Sequence, residues 1–116
     1  MTDDERRQHV RVPYGAWIED LSRTGGLRFY LTRDLSLGGM LLQAEEPPPI
    51  GAKVRLRLVV ENESRAISME GSVVRHGTDA GGTRLFAVQF TNVDPVHMGY
   101  LQELIEEISP GALAES

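Results

Sequence analysis

Alternation between apolar and polar residues is the dominant pattern of this chain from residue 10 to residue 90. It is clearest over residues 53–60, where every second residue is Val or Leu and three of the four residues between them are basic. Strict alternation is the period of a β-strand with one face in a core and the other in water. Five further runs are short and rich in apolar or β-branched residues, and we expect strands there as well: a run beginning at Val10, and residues 26–33, 39–43, 66–75 and 84–90.

Turn-forming residues separate these runs at 24–26, 47–51, 61–63 and 79–82. After residue 90 the apolar period becomes helical. Asp94 supplies an N-cap with Pro95 at the first helical position, and the apolar residues then recur at helical spacing at Leu101, Leu104, Ile105 and Ile108. The whole pattern predicts an all-β sandwich or barrel covered by a C-terminal helix that ends near Pro110.

The length of 116 residues leaves room for one hydrophobic core. We expect a single domain over residues 6–109, with a flexible polar arm at residues 1–5 and a flexible tail at residues 110–116. The chain has no cysteine, which excludes disulfides and thiolate metal sites. It has neither a long apolar run nor a secretion leader, so we expect a cytoplasmic protein without membrane insertion.

The charge of the chain limits the kinds of ligand and surface that it can bind. A formal net charge of -5 argues against broad affinity for nucleic acid or for an anionic membrane. Its distribution is uneven, because residues 6–11 are basic whereas residues 103–115 carry four glutamates. An anionic ligand should therefore prefer the N-terminal end of the chain.

The first candidate motif is the R-x-x-x-R pair formed by Arg7 and Arg11, just before the first expected strand. A guanidinium group donates two parallel hydrogen bonds, which suits both the O6 and N7 atoms of guanine and the oxygens of a phosphate. Arginine pairs are also common on solvated surfaces, and the spacing alone does not separate these interpretations. Arg6 adjoins the pair and either adds a contact or stays solvated.

The second candidate motif is the D-x-S-x-G-G sequence at residues 34–39, between two expected strands. The ionised Asp34 carboxylate suits the N1–H and amino group of guanine, and the Ser36 hydroxyl can donate to a phosphate. Gly38 and Gly39 let the backbone turn sharply and approach a ligand. The alternative is an ordinary hairpin turn in which Asp34 and Ser36 bond to their own backbone.

The two motifs, in this order within a short all-β domain that ends in a helix, resemble the PilZ family over approximately residues 5–107. Four further stretches carry the resemblance: Arg11-Val12-Pro13, Asp34 to Met40, Pro49-Ile50-Gly51 and Phe86 to Phe90. The resemblance implies a six-stranded antiparallel β-barrel with a C-terminal α-helix. It also implies a receptor that binds cyclic di-GMP at its outer surface, with the N-terminal arm wrapping the ligand.

Carried over by position, the resemblance assigns roles to individual residues. Arg7 and Arg11 would hold guanine and phosphate, while Asp34 would take the Watson–Crick edge of a guanine. Ser36 with Gly39 would accommodate phosphate and ribose. The full expected ligand site is Arg6, Arg7, Arg11, Asp34, Ser36, Gly38 and Gly39, with no catalytic residue, metal or further cofactor. Signalling would then pass to a partner protein, for example in motility, pilus, chemosensory or polysaccharide machinery.

The other candidate residues favour structural roles. We expect Tyr14, Trp17 and Tyr30 to fill or rim the barrel, with base stacking as the alternative. His76 and His97 have no second ligand at metal spacing, so we expect surface or capping roles. The glutamates of the last helix are expected to form its solvated face.

Three rival functions differ in what they require. An interaction module would keep the fold and hold a partner without nucleotide. An oligonucleotide-binding barrel would need a basic groove interleaved with aromatic residues, which a chain with one lysine and a negative net charge does not offer. Against an enzyme, the sequence has no cysteine nucleophile, no paired acid and base at a recognisable spacing, and no Gly-rich phosphate loop that opens a helix.

Overall fold

The structure, a computed structural model, describes residues 9–22, 26–60 and 65–115. Within these residues it contains seven strands and one α-helix: β1 (Val12–Pro13), β2 (Trp17–Asp20), β3 (Phe29–Leu35), β4 (Gly39–Gln43), β5 (Lys53–Val59), β6 (Ala66–Thr78), β7 (Arg84–Asn92) and α1 (Pro95–Ile108). The turn expected at 61–63 and part of the one at 24–26 lie outside the described residues.

Six of the strands close into an antiparallel barrel in the order β3–β2–β5–β6–β7–β4, and β4 returns to pair with β3. The short β1 is an additional strand that pairs with the end of β3. This confirms the expected barrel with a C-terminal helix. The core is formed by inward residues of all seven strands and by one face of α1.

Strand β5 shows how the sequence pattern becomes a barrel wall. Val54, Leu56 and Leu58 are buried, whereas the basic residues between them face water, as the alternation predicts. Burial of such side chains contributes about 1.5–3 kcal/mol each to the free energy of unfolding. Because the inward residues of the strands form the core, functional groups are confined to the outward positions and to the loops.

The run expected from Val10 onward is divided in two. Residues 14–16 belong to neither β1 nor β2, although the Tyr14 N–H donates to the Arg33 carbonyl at 3.2 Å and the Ala16 carbonyl accepts from the Thr32 N–H at 2.8 Å. The Thr32 hydroxyl adds two further hydrogen bonds to this segment. It accepts a hydrogen bond from the Ala16 N–H at 2.8 Å and donates one to the Ala16 carbonyl at 2.9 Å. The division lets β1 and β2 pair with different parts of the same strand, β3.

A β-bulge interrupts β3 at Arg33. Thr32 pairs with Leu42 and Asp34 with Leu41, so Arg33 is an extra residue with no partner on β4. Tyr30 and Thr32 point inward, and without the bulge Asp34 would point inward too. The extra residue turns Asp34 outward and returns the next residue, Leu35, to the core.

Helix α1 begins at the expected place. The Asp94 carboxylate accepts a hydrogen bond from the His97 N–H at 2.9 Å, which caps the helix, and Leu101, Leu104 and Ile105 are buried against the barrel. Ala112, beyond the helix, also packs into the core. The flexibility expected from residue 110 stays a prediction. None of the described helices is long and apolar enough to cross a membrane.

Candidate functional site

The two sequence motifs meet on the outer surface of the barrel. Val12 pairs with Leu35 and Pro13 with Asp34, so Arg11 lies diagonally across from Asp34 on the outward face. The Arg11 Nη1 atom is 2.8 Å from the Asp34 Oδ1 atom. The side chains are 52% and 23% exposed respectively, so the pair is open to a ligand.

The position of Asp34 differs from the expected one, because this residue lies in a strand and not in the β3–β4 turn. Asp34 was expected in a loop, but it belongs to β3, and the bulge at Arg33 is what turns its carboxylate outward. Its carboxylate accepts a hydrogen bond from Arg11, just before β1, rather than from its own backbone. The paired guanidinium and carboxylate can bind a group that both accepts and donates hydrogen bonds, as a guanine base does.

Ser36, in contrast, is an internal element of the β3–β4 turn. It is only 3% exposed, and its hydroxyl accepts hydrogen bonds from the Gly38 and Gly39 N–H groups, both at 3.1 Å. The same hydroxyl lies 3.2 Å from the Gly39 carbonyl, to which it donates. A direct bond from Ser36 to a phosphate would require this turn to open.

Gly39 is also buried, and its role is steric. A Cβ atom at this position would lie 2.2 Å from the backbone carbonyl oxygen of Val88 on β7. Gly39 pairs with Gln89 at this crossing, and the neighbouring Gly38 carbonyl accepts a hydrogen bond from the Phe90 N–H at 2.9 Å. The glycine therefore permits β4 and β7 to approach closely at the base of the turn.

Arg33, the bulged residue beside Asp34, is directed to the other side of the site. Its Nη1 atom lies 3.0 Å from the Asp79 Oδ2 atom and 3.1 Å from the Gln43 Oε1 atom. Asp79 closes the β6–β7 hairpin by accepting from the Gly81 and Thr83 N–H groups. The hydrogen bond from Arg33, with those two N–H groups, lowers the pKa of Asp79 below its ordinary value.

The pKa of Asp79 should rise when Arg33 is replaced by alanine, and stay below the ordinary value because the Gly81 and Thr83 N–H groups remain. Because folding lowers the pKa of Asp79, its ionised carboxylate stabilises the folded protein at pH values above the pKa of the unfolded state. This stabilisation is lost as the pH falls through the pKa of the folded state. Carboxyl NMR titration of the wild type and Arg33→Ala measures the shift. Gln43→Ala removes the neutral partner of Arg33 as the control, and an equal shift there would contradict the assignment.

The remaining predicted site residues are Arg6 and Arg7, which lie outside the described residues. Of the aromatic residues, Tyr30 is in the core as expected, with its ring 5.0 Å from that of Phe86 and its hydroxyl 2.6 Å from the buried Asp20 carboxylate. Tyr14 is half-buried against the core. Trp17 does not fill the barrel, because it points outward from β2 and is 65% exposed.

The histidines downstream of the site have structural contacts. The His76 Nε2 atom lies 2.6 Å from the Pro48 carbonyl oxygen, and the His97 Nδ1 atom lies 3.3 Å from the backbone of Ser68. Within the part of the chain that the structure describes, no three His, Asp or Glu side chains are grouped so as to hold a metal ion.

Sequence reasoning missed His9, whose ring lies against Gly38.

Comparison with known proteins gives one family match. The sequence profile described as the PilZ domain matches residues 5–107, which is most of the chain and includes both motifs. No curated protein matches the sequence.

Several solved structures share the fold at low sequence identity. The PilZ domain of YcgR from Escherichia coli with c-di-GMP is 19% identical, with a TM-score of 0.70, over 95% of this chain and 96% of that one. The Bacillus subtilis inhibitor of motility MotI/DgrA is 21% identical, with a TM-score of 0.75, over 88% of this chain and 51% of that one. The K. pneumonia MrkH–c-di-GMP complex is 15% identical, with a TM-score of 0.76, over 96% and 56%. This chain thus spans about half the length of the last two proteins.

Proposed function

This chain belongs to the PilZ domain family, and from that premise we propose that it is a receptor for cyclic di-GMP. The observation that carries the proposal is the Arg11–Asp34 pair, 2.8 Å apart and exposed on the outer face of the barrel. Two of the similar structures, those of YcgR and MrkH, contain c-di-GMP. Cyclic di-GMP combines two guanine bases with two phosphates, and this pair suits both kinds of group.

Binding would proceed by exchange of partners at this pair. In the free protein the Arg11 Nη1 atom donates to the Asp34 Oδ1 atom at 2.8 Å. A guanine would accept from Arg11 through O6 and N7, or a phosphate would accept in its place, while Asp34 would accept from the N1–H and amino group of a base. An exposed ion pair contributes only about 0–1 kcal/mol, so its loss costs less than the new contacts supply.

The turn residues would act on the site indirectly. Ser36 and Gly39 are buried and bonded within the turn, so we assign them the task of shaping it rather than touching the ligand. Arg6 and Arg7 remain proposed contacts on the strength of the sequence motif. Their basic side chains would bring positive charge to the dianionic ligand.

Ligand occupancy would be passed on to another protein. The proposal is of a non-catalytic module in the bacterial cytoplasm, where a second messenger acts. A changed outer surface around the arm would be recognised by a partner that prefers the liganded form. MotI/DgrA is an inhibitor of motility, which makes motility machinery one class of partner to test.

Calorimetric titration of the purified protein with cyclic di-GMP, cyclic di-AMP and GTP tests the proposal. We expect roughly micromolar affinity for cyclic di-GMP, which corresponds to about -8 kcal/mol. Cyclic di-AMP should bind more weakly, because adenine lacks the O6 acceptor and the N1–H donor that Arg11 and Asp34 address. The affinity for cyclic di-GMP should also fall as the ionic strength rises.

Equal affinity for the two cyclic dinucleotides would rule out guanine recognition, and no binding of either would rule out the receptor. A nucleotide-independent interaction module would then be the better candidate. One observation favours it: three large apolar residues of the β2–β3 hairpin, Trp17, Leu27 and Phe29, are exposed. Exposed apolar groups of this kind often mark protein-binding surfaces.

A further inference from the structure

The ring of His9 occupies the space that a side chain at position 38 would need. A Cβ atom at residue 38 would lie 2.5 Å from the His9 Cδ2 atom, 3.1 Å from Nε2 and 3.2 Å from Cγ. Contacts below 3.0 Å require one group to shift. The imidazole of His9 therefore rests directly on the backbone of the β3–β4 turn.

Backbone conformation does not explain this glycine. Among the described residues, the glycines with positive φ are Gly26, Gly51, Gly82 and Gly111, and Gly38 is not one of them. The φ angle at position 38 is therefore not in the left-handed region that favours glycine, and the steric reason that the structure shows for glycine is the contact with His9.

The contact belongs to a continuous attachment of residues 9–11 to the barrel. His9 rests on Gly38, Val10 packs against the core, and Arg11 bonds to Asp34. His9 and Arg11 are both exposed, and they flank an inward residue, as expected in an extended chain. Neither ring nitrogen of His9 makes a hydrogen bond to any residue in the described ranges, so packing of the ring accounts for the attachment.

We propose that His9 is a positioning residue of the ligand site. Its ring packs on the backbone of Gly38, a contact that we call the seat, and this contact holds Arg11 beside Asp34. This inference rests on the proposed function, because the ligand whose affinity it affects is cyclic di-GMP. The competing explanation is that Gly38 is small so that the ligand itself can approach the turn. The two explanations differ in whether the effect of a side chain at position 38 depends on His9.

A double-mutant cycle separates them. His9→Ala and Gly38→Ala should each weaken cyclic di-GMP binding by about fivefold to tenfold, since each abolishes the seat. The double variant should bind as weakly as His9→Ala alone, because a methyl group at position 38 meets nothing once the ring is gone. Gly15→Ala is the matched control: Gly15 lies between β1 and β2, has no positive φ, and a Cβ there would meet nothing within 4 Å.

Rescue by a conservative variant shows that the ring acts by packing. His9→Phe keeps a planar ring for the seat but has no ring nitrogen, so its affinity should stay within about twofold of the wild type. Affinity as low as that of His9→Ala would overturn the packing explanation. If Gly38→Ala weakens binding equally with and without His9, the ligand approaches Gly38 directly and the inference is wrong.

A measurement without ligand distinguishes failure of this inference from failure of the proposed function. In the free wild-type protein, a nuclear Overhauser effect should connect the His9 Hδ2 proton with the Gly38 Hα protons, and it should disappear in Gly38→Ala. Its absence in the wild type would overturn the seat, whatever the protein binds. Absence of cyclic di-GMP binding with the effect present would instead refute the receptor proposal and leave the seat established.

Discussion

Replacement of Arg11 by alanine is expected to weaken cyclic di-GMP binding by about 10- to 100-fold, a loss of roughly 1–3 kcal/mol. The variant loses a charge-assisted donor of two parallel hydrogen bonds. Asp34→Ala should weaken binding less, because it removes one acceptor but also frees Arg11 from the ion pair that competes with the ligand. Titration calorimetry at fixed salt concentration measures both effects.

Two matched variants show what Arg11 supplies. Arg11→Lys keeps the positive charge and loses the planar fork, so most of the loss should persist if geometry is recognised. Arg55→Ala removes an exposed arginine from β5, two strands away from β3, and should leave the affinity within about twofold. Full affinity in Arg11→Lys would mean that charge alone is sufficient, and equal losses in Arg11→Ala and Arg55→Ala would mean that the site lies elsewhere.

The melting temperatures of these variants should change little. The Arg11–Asp34 pair is exposed, and pairs of this kind contribute about 0–1 kcal/mol to the free energy of unfolding. A large loss of stability in the ligand-free Arg11→Ala protein would indicate that the motif is structural rather than a binding site.

The largest loss of stability is expected for Gly39→Ala. The added methyl group would lie 2.2 Å from the Val88 carbonyl oxygen, which is backbone and cannot move without separating β4 from β7. Forcing such a group into a packed interior costs about 3 kcal/mol, or a fall of roughly 10 °C in melting temperature for a domain of this size. Thermal denaturation followed by circular dichroism measures it.

Gly77→Ala is the control for this substitution. Gly77 lies in β6, has no positive φ, and a Cβ there would meet nothing within 4 Å, so the change should stay within about 0.5 kcal/mol. If Gly39→Ala keeps the wild-type melting temperature but loses cyclic di-GMP, Gly39 contacts the ligand and the steric role is wrong.

The elements of the fold could be predicted because they depend on local patterns. The alternation of β5 and the Asp94-Pro95 start of α1 are properties of neighbouring residues, and the structure confirms both. The first strand was less predictable, because its division at residues 14–16 depends on hydrogen bonds with Thr32, which is distant in sequence.

The sequence by itself determined that an arginine motif precedes the barrel and that a D-x-S-x-G-G motif joins two strands, since both consist of consecutive residues. Only the tertiary structure decided what these residues face. The bulge at Arg33 turns Asp34 outward toward Arg11, and the Ser36 hydroxyl forms its hydrogen bonds within the turn. The space beside Gly38 is occupied by His9, and the space beside Gly39 is occupied by β7. These outcomes depend on strand register and on contacts between segments distant in sequence, and a pattern of local residues carries neither.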